Sequence, residues 1–189
     1  VMADAYVALE GDRVIEARAR APGTARGEVV FTTAYTGYEE SLTDPSYEEQ
    51  ILTFSYPLIG NYGVREERFE SDRVQPNGVV ARELTDDVAE WLESECVPAV
   101  DHLDTRDIVT EIRDEGAMKC GIAAGPDATE EAALEQLHQC KHMSEHRDIG
   151  AQVSVAEHTV HNEDGDGVTV ALVDCGAKGS IIDSLVERD

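Results

Sequence analysis

Near its start the chain reads Ala5-Tyr6-Val7-Ala8-Leu9, then Gly11-Asp12, then Val14-Ile15-Glu16-Ala17. Two apolar runs on either side of a glycine-containing turn predict a β-hairpin. Further β-rich runs follow at residues 28–33, 51–54 and 78–82. The first third of the chain is therefore predicted to consist mostly of strands and turns.

Helical patterns come later in the chain. Residues 87–95 place Val88, Trp91 and Leu92 on one face, residues 104–114 end before Gly116, and residues 129–139 form a third amphipathic stretch. Short apolar runs at 97–100 and 121–124 predict two more strands. Strands first and helices afterwards favour an α+β domain over a doubly wound sheet. Trp91 shares the face of Val88 and Leu92, which is more typical of a core residue than of a contact residue.

The last thirty residues follow a different pattern. The polar stretch 161–167 predicts a linker. Residues 168–173 form a continuous apolar run, typical of a strand buried on both faces, and residues 181–186 begin a helix. One βα unit cannot bury its own faces. We therefore expect either that the chain is a piece of a longer protein or that this segment folds back on the preceding domain.

The charge balance excludes several classes of function. Forty acidic residues stand against fifteen basic ones, which gives a net charge of −25. Such a chain is repelled by nucleic acids and by anionic membranes, and no apolar run is long enough to span a bilayer. Only three of the fifteen bases are Lys. This composition predicts a halophilic protein, because concentrated salt screens the self-repulsion, with an acidic mesophilic protein as the alternative.

The four cysteines form no C-x-x-C pair. The first residues show no secretory signal, so we expect reduced thiols and a cytoplasmic location. Cys175 follows an apolar run, but a catalytic cysteine needs a histidine base and the adjacent residue is the acidic Asp174, so packing is favoured over catalysis. Cys140, His142 and His146 lack a closely spaced second ligand pair, so a solvated helix end is favoured over zinc. Residues 164–167 are too short for a calcium loop and indicate a turn.

The segment Asp44-Pro45-Ser46 predicts a turn that presents the Ser46 hydroxyl outward. Ser46 also lies three residues before Glu49, so it could instead cap a short helix in a capping box. No histidine lies nearby in the sequence and no G-x-S-x-G surrounds Ser46. The residues alone therefore give no reason to treat Ser46 as a nucleophile.

Several longer blocks are similar to a known family. They read GEVVFTT at 27–33, TGYEE at 36–40, LTDPSY at 42–47, YPLIGNYG at 56–63, DTR at 104–106, IRDEG at 112–116 and VDCGAK at 173–178. Together they resemble the small subunit of carbamoyl-phosphate synthase, and the resemblance spans essentially the whole chain. It implies an α+β fold with a layered β/β/α N-terminal domain at 1–150, a linker at 151–167, and the first βα unit of a class I glutamine amidotransferase domain at 168–189.

The resemblance also implies a function. Small subunits of this family hydrolyse glutamine through a Cys–His–Glu triad, and the large subunit uses the ammonia, bicarbonate, ATP and Mg to make carbamoyl phosphate for arginine and pyrimidine synthesis. The Gly-x-Cys-x-Gly turn of that triad is absent from these residues, so we expect no catalytic residue and no glutaminase activity here.

By the same resemblance, Ser46 matches a serine that contacts the bound glutamine, and the large subunit is the expected partner. No cofactor is expected in this chain. A stand-alone interaction module of the same fold is the alternative. A chain that stops inside a predicted helix, at Glu187-Arg188-Asp189, favours part of a longer subunit.

Overall fold

The computed structural model describes residues 4–188, so the prediction about the first three residues lies outside the described part of the chain. Within that range, seven strands close into one barrel in the order β1-β2-β6-β5-β4-β3-β7. The strands are β1 (Ala5–Leu9), β2 (Arg13–Ala21), β3 (Gly23–Thr32), β4 (Gln50–Phe54), β5 (Gly78–Val80), β6 (Ala99–Asp101) and β7 (Met118–Ala124). The helices are α1 (Tyr38–Leu42), α2 (Asp86–Ser94), α3 (Thr105–Glu115), α4 (Glu130–Gln139), α5 (Ile149–Val153) and α6 (Gly179–Val186).

The barrel combines antiparallel and parallel pairing. The hairpin β1–β2, the pair β1–β7, the pair β3–β7 and the pair β2–β6 are antiparallel. The ladder from β3 through β4 and β5 to β6 is parallel. Parallel neighbours need crossover connections, which here carry α1 and α2.

Alternation along the strands divides the apolar residues between the two faces of the barrel wall. In β1, Val7 and Leu9 join the interior cluster, whereas Ala8 joins a separate cluster with α4. In β7, Ile122 belongs to the interior and Ala123 to the α4 side. Small alanines on the outer face let α4 approach the wall closely, since successive residues of a strand point to opposite faces.

The helices cover the barrel on different sides. Ile108 and Ile112 of α3 pack into the interior cluster. Val88 and Leu92 of α2 pack with α1 in a second cluster on the outer wall, and Trp91 packs partly buried against it. The prediction that Trp91 belongs to the core side of α2 is confirmed. No described helix has the length and apolar character needed to cross a membrane.

The α+β class predicted from the sequence is confirmed, and so is every predicted strand and helix up to residue 139. Two details of the predicted architecture differ. The β layers are the two sides of a single closed barrel. Residues 168–173 form no strand and are exposed, with 89% of the Val168 surface accessible. A strand needs a hydrogen-bonded neighbour, and residues 4–188 supply none there, so the predicted βα unit contributes only its helix α6.

The C-terminal segment nevertheless returns to the barrel domain. Residues 154–178 contain no helix or strand. After them the N–H of Gly179 donates to the carbonyl of Glu70 at 2.8 Å, and Lys178 pairs with Asp44. The expectation that this segment folds back on the preceding domain is therefore confirmed. The domain boundaries at 150 and 167 stay predictions.

Candidate functional site

Tyr38 joins two of the sequence blocks that carry the resemblance. Its hydroxyl donates to the carbonyl of Gly63 at 2.5 Å and accepts from the N–H of Tyr62 at 3.1 Å. Burial raises the pKa of this hydroxyl above its usual value. Gly60 of the second block has φ of 111°, and a Cβ there would overlap the Thr85 hydroxyl at the start of α2. Only glycine fits this approach, so the block is fixed against both α1 and α2.

The turn after α1 presents Ser46. Asp44 is the N-cap of a short 3₁₀ helix, Pro45–Tyr47, and its carboxylate accepts from the N–H of Ser46 at 2.9 Å. The capping-box alternative for Ser46 is therefore wrong, because Asp44 holds the capping position. The helix ends before Glu49, whose φ of 63° is not helical.

The Ser46 side chain is free to meet a ligand. The residue is exposed, and its hydroxyl forms no hydrogen bond with any residue from 4 to 188. Beside it, Pro45 is buried and Tyr47 is half-buried, with the pKa of Tyr47 raised by burial. A rigid turn thus holds one unsatisfied hydroxyl toward solvent, as the sequence predicted.

The C-terminal segment lies against this turn. The carboxylate of Asp174 accepts from the N–H groups of Gly176 and Ala177 at 2.9 and 2.7 Å. Gly176 has φ of 97°, and a Cβ there would lie 2.8 Å from Val153 and 3.2 Å from Pro45. The turn at 174–177 therefore needs glycine both for its backbone conformation and for its close contact with the Ser46 turn.

Lys178 completes the contact electrostatically. Its ammonium lies 2.5 Å from the second carboxylate oxygen of Asp44, whose side chain is 9% exposed. The hydrogen bond to Asp44 raises the pKa of Lys178 above its usual value. Asp44 thus uses one oxygen to hold Ser46 and the other to hold the C-terminal segment.

Catalysis by Cys175 and metal binding near His142 were two other chemistries considered from the sequence. Cys175 is exposed, and no histidine among residues 4–188 forms a hydrogen bond with it. The packing predicted for Cys175 is therefore wrong in this structure, because the apolar run before it is exposed. His142 caps a 3₁₀ turn and contacts Glu28 at 3.1 Å. The described residues bring together no group of three or more side chains able to hold a metal ion.

Two open clefts lie elsewhere on the domain. One, of about 590 Å³, is lined by Arg26, Arg73 and Gln75, and the other, of about 550 Å³, by Arg26, Lys141 and Arg147, among other residues. Ser46 lines neither cleft. The Ser46 turn thus lies on the surface outside these two clefts, and a pocket around it would require further groups facing it.

Comparison with known proteins identifies the family. The model of the carbamoyl-phosphate synthase small chain, CPSase domain, matches residues 7–122. The chain belongs to the carbamoyl-phosphate synthase small-chain family. A carbamoyl phosphate synthase small chain of Halobacterium salinarum, a halophile, is 68% identical over 187 residues, which is 99% of this chain and 52% of that protein. That of Archaeoglobus fulgidus is 41% identical over 194 residues, 97% of this chain and 53% of that protein.

The chain spans about half the length of these family members. Among solved structures, Thermococcus kodakaraensis aconitase X is 16% identical with a TM-score of 0.39. The matched region covers 58% of this chain and 96% of the aconitase X chain. This likeness is too low to bear on fold or function. The family assignment depends on the small-chain relatives.

The sequence predicted an outward-facing Ser46 hydroxyl but did not predict the residues that hold its turn in place. Asp44 could have been found, because an Asp directly before a Pro is a typical helix start. Lys178 and Glu70 carried no such signal. Their partners, Asp44 and Ser180, lie more than a hundred positions away, and only the folded chain brings them together.

Proposed function

We propose that the chain is the N-terminal part of the small subunit of a glutamine-dependent carbamoyl-phosphate synthase. Its barrel domain docks to the large subunit, and its Ser46 turn completes the glutamine pocket. Glutamine is hydrolysed by a Cys–His–Glu triad that lies outside these residues. The large subunit combines the ammonia with bicarbonate, using ATP and Mg, and the complex works in the cytoplasm.

One observation supports this proposal most strongly. The turn that carries the exposed Ser46 hydroxyl contacts residues 174–178, the segment that resembles the entry to an amidotransferase domain, through Asp44 and Pro45. Sites at domain boundaries recruit polar groups from both sides. A glutamine bound next to this segment would therefore meet a hydroxyl that the barrel domain has already oriented.

The exposed apolar residues near the C-terminal segment are consistent with a longer subunit. Val168, Val173 and Ile181 are 89%, 86% and 46% exposed. Covering such a surface is favourable at about 25 cal/mol per Å² of apolar area. In a longer subunit the rest of the amidotransferase domain would cover this surface, whereas a stand-alone interaction module would need a separate partner to cover it.

Reconstitution tests the function. The full-length subunit, combined with its large subunit, should support carbamoyl phosphate synthesis from glutamine as well as from ammonia. The large subunit alone should use only ammonia. Glutamine-dependent synthesis that does not require the small subunit would contradict the proposal.

The isolated 189-residue chain provides a second test. It should release no ammonia from glutamine, because it lacks the Gly-x-Cys-x-Gly turn. Turnover that persists after Cys175→Ala would reveal a nucleophile elsewhere in these residues. It would contradict the proposal that the glutamine-hydrolysing triad lies outside them. Turnover lost in Cys175→Ala would identify Cys175 itself as the nucleophile.

A further inference from the structure

Glu70 binds the start of α6 through its side-chain carboxylate and through its backbone carbonyl. Its side chain is buried, with 8% of the residue exposed. One carboxylate oxygen accepts from the N–H of Ser180 and the other from the Ser180 hydroxyl, each at 2.9 Å. The Glu70 carbonyl accepts from the N–H of Gly179 at 2.8 Å. The first N–H groups of a helix have no acceptor within the helix, and at the α6 N-terminus Glu70 supplies acceptors for two of them.

The same residue is fixed to the loop that leads into the Ser46 turn. The N–H of Glu70 donates to the Thr43 hydroxyl at 2.8 Å, and that hydroxyl donates to the carbonyl of Glu39 at 2.8 Å. The neighbouring Ser71 hydroxyl donates to the Thr43 carbonyl at 2.6 Å. Thr43 directly precedes Asp44, so this network ends one residue from the cap that holds Ser46.

A ring contact holds the loop from a third direction. Phe69 stacks on Trp91 of α2 with ring centroids 4.9 Å apart and an interplanar angle of 12°. The backbone on both sides of Glu70 is thus fixed by packing and by hydrogen bonds. Because Glu70 is held in one place, it can hold Ser180, and so the start of α6, in a fixed position.

We propose that Glu70 is a positioning residue that sets α6, and with it Lys178 and the turn at 174–177, in register with the Ser46 turn. This proposal rests on the proposed function, since its consequence is a correctly formed glutamine pocket. Glu70 does not touch the substrate. It acts by joining Thr43 on the barrel side to Ser180 on the amidotransferase side.

The negative charge of the carboxylate strengthens both of these contacts. Ser180 donates its N–H and its hydroxyl to two separate oxygens of Glu70. An amide keeps one acceptor for the N–H, and its NH₂ group would instead donate to the Ser180 hydroxyl, which can also accept. Glu70→Gln should therefore replace two charge-assisted hydrogen bonds by two weaker neutral ones and remove the negative charge at the α6 N-terminus, while keeping the side-chain volume.

The chain offers a matched control. Glu48 is also 8% exposed and lies close in sequence to the same turn, but it pairs with Arg73 at 2.7 Å and contacts no described residue of the C-terminal segment. Glu48→Gln removes an equally buried carboxylate without touching α6. Any effect specific to the position of α6 should appear in Glu70→Gln and be absent from Glu48→Gln.

The experiment uses the full-length subunit in complex with its large subunit. In Glu70→Gln we expect the KM for glutamine to rise roughly 5-fold, since weaker neutral hydrogen bonds hold α6 less firmly in place, while ammonia-dependent synthesis stays unchanged. Hydrogen exchange at the Gly179 and Ser180 amides should quicken in the same variant. Ser180→Ala, which changes an exposed residue and deletes only the hydroxyl bond, should shift both measurements in the same direction.

The outcomes are separable. A glutamine KM that is unchanged in Glu70→Gln and Ser180→Ala, or equally raised in Glu48→Gln, overturns the positioning role. Faster exchange with an unchanged KM also overturns it, because α6 would then be loosened without consequence for glutamine. Absence of glutamine-dependent synthesis in the wild-type complex would instead refute the proposed function itself.

Discussion

The ammonium group of Lys178 lies 2.5 Å from a carboxylate oxygen of Asp44. The Asp44 side chain is only 9% exposed, whereas that of Lys178 is 40% exposed. Because Asp44 also caps the Ser46 turn, this ion pair connects the local geometry of the turn to the C-terminal segment.

Lys178→Met should destabilise the folded chain. The nearly buried Asp44 carboxylate would lose its cation, at a cost of about 1–3 kcal/mol in the free energy of unfolding. Urea denaturation measures the change. Arg113→Met is the control, because Arg113 and Asp114 form a pair that is 69% and 62% exposed, and such surface pairs contribute about 0–1 kcal/mol. If the free energy of unfolding falls equally in the two variants, the ion pair between Lys178 and Asp44 contributes no more than a surface pair, contrary to this prediction.

Ser46→Ala should separate substrate binding from stability. The Ser46 hydroxyl has no partner among the described residues, and the Asp44 cap acts on the backbone N–H, which alanine keeps. We expect stability to change by less than about 0.5 kcal/mol. In the full-length complex, loss of one hydrogen bond to glutamine costs about 0.5–3 kcal/mol, which raises the glutamine KM roughly 2- to 150-fold.

Ammonia-dependent synthesis provides the internal control for Ser46→Ala, since it bypasses the glutamine pocket and should be unchanged. Ser144→Ala, at another exposed serine, should leave both activities unchanged. If the glutamine KM of Ser46→Ala equals that of the wild type, Ser46 is only a turn residue.

Asp101 should make stability depend on acid pH. Its side chain is fully buried and contacts Arg18 at 2.8 Å and the His102 ring at 2.8 Å. Burial alone raises the pKa of Asp101, but the hydrogen bonds from Arg18, His102 and the N–H of Leu84 together lower it below its usual value. A carboxyl whose folded pKa is depressed contributes stability above its unfolded pKa of about 3.9, and that stability is lost as the pH falls through the folded pKa.

The comparison of wild type with Asp101→Asn measures this contribution. At about pH 6 the variant should be less stable by about 1–3 kcal/mol, because the neutral amide cannot replace the charged hydrogen bonds that the buried carboxylate accepts from Arg18 and the N–H of Leu84. The difference should shrink as the pH falls below about 4, because Asp101 of the unfolded chain then takes up a proton, and it should vanish once the pH is below the lowered pKa of Asp101 in the folded chain. Asp127→Asn, at an exposed aspartate, should show no such trend. A difference that is independent of pH would mean that Asp101 acts by packing alone.

Salt should stabilise the chain. With a net charge of −25, repulsion among carboxylates is long-ranged at low ionic strength and weakens as the Debye length falls from about 10 Å at 0.1 M to about 3 Å at 1 M. The thermal unfolding midpoint should therefore rise clearly between about 0.1 M and about 2 M KCl. Sucrose at matched water activity is the uncharged control. A midpoint that stays flat in KCl would contradict the halophilic interpretation of the composition.

The sequence by itself determined the local elements and the family. Alternating apolar residues around Gly11-Asp12 gave the β1–β2 hairpin, and helical periodicity gave α2, α3 and α4, because these patterns reflect contacts between near neighbours. The blocks around Tyr38 and Ser46 carried the resemblance to the carbamoyl-phosphate synthase small chain. Asp44-Pro45 contained a cap signal that local rules can recognise.

Only the tertiary structure decided how these pieces meet. Barrel closure pairs β3 with β7 and β2 with β6, strands far apart in the chain. The apolar run at 168–173 had the pattern of a buried strand, yet it stays exposed because no described strand lies beside it. The bonds from Asp44 to Lys178 and from Glu70 to Ser180 likewise depend on long-range placement. Such contacts leave no periodicity in the sequence, since they form between surfaces that exist only after each element has folded.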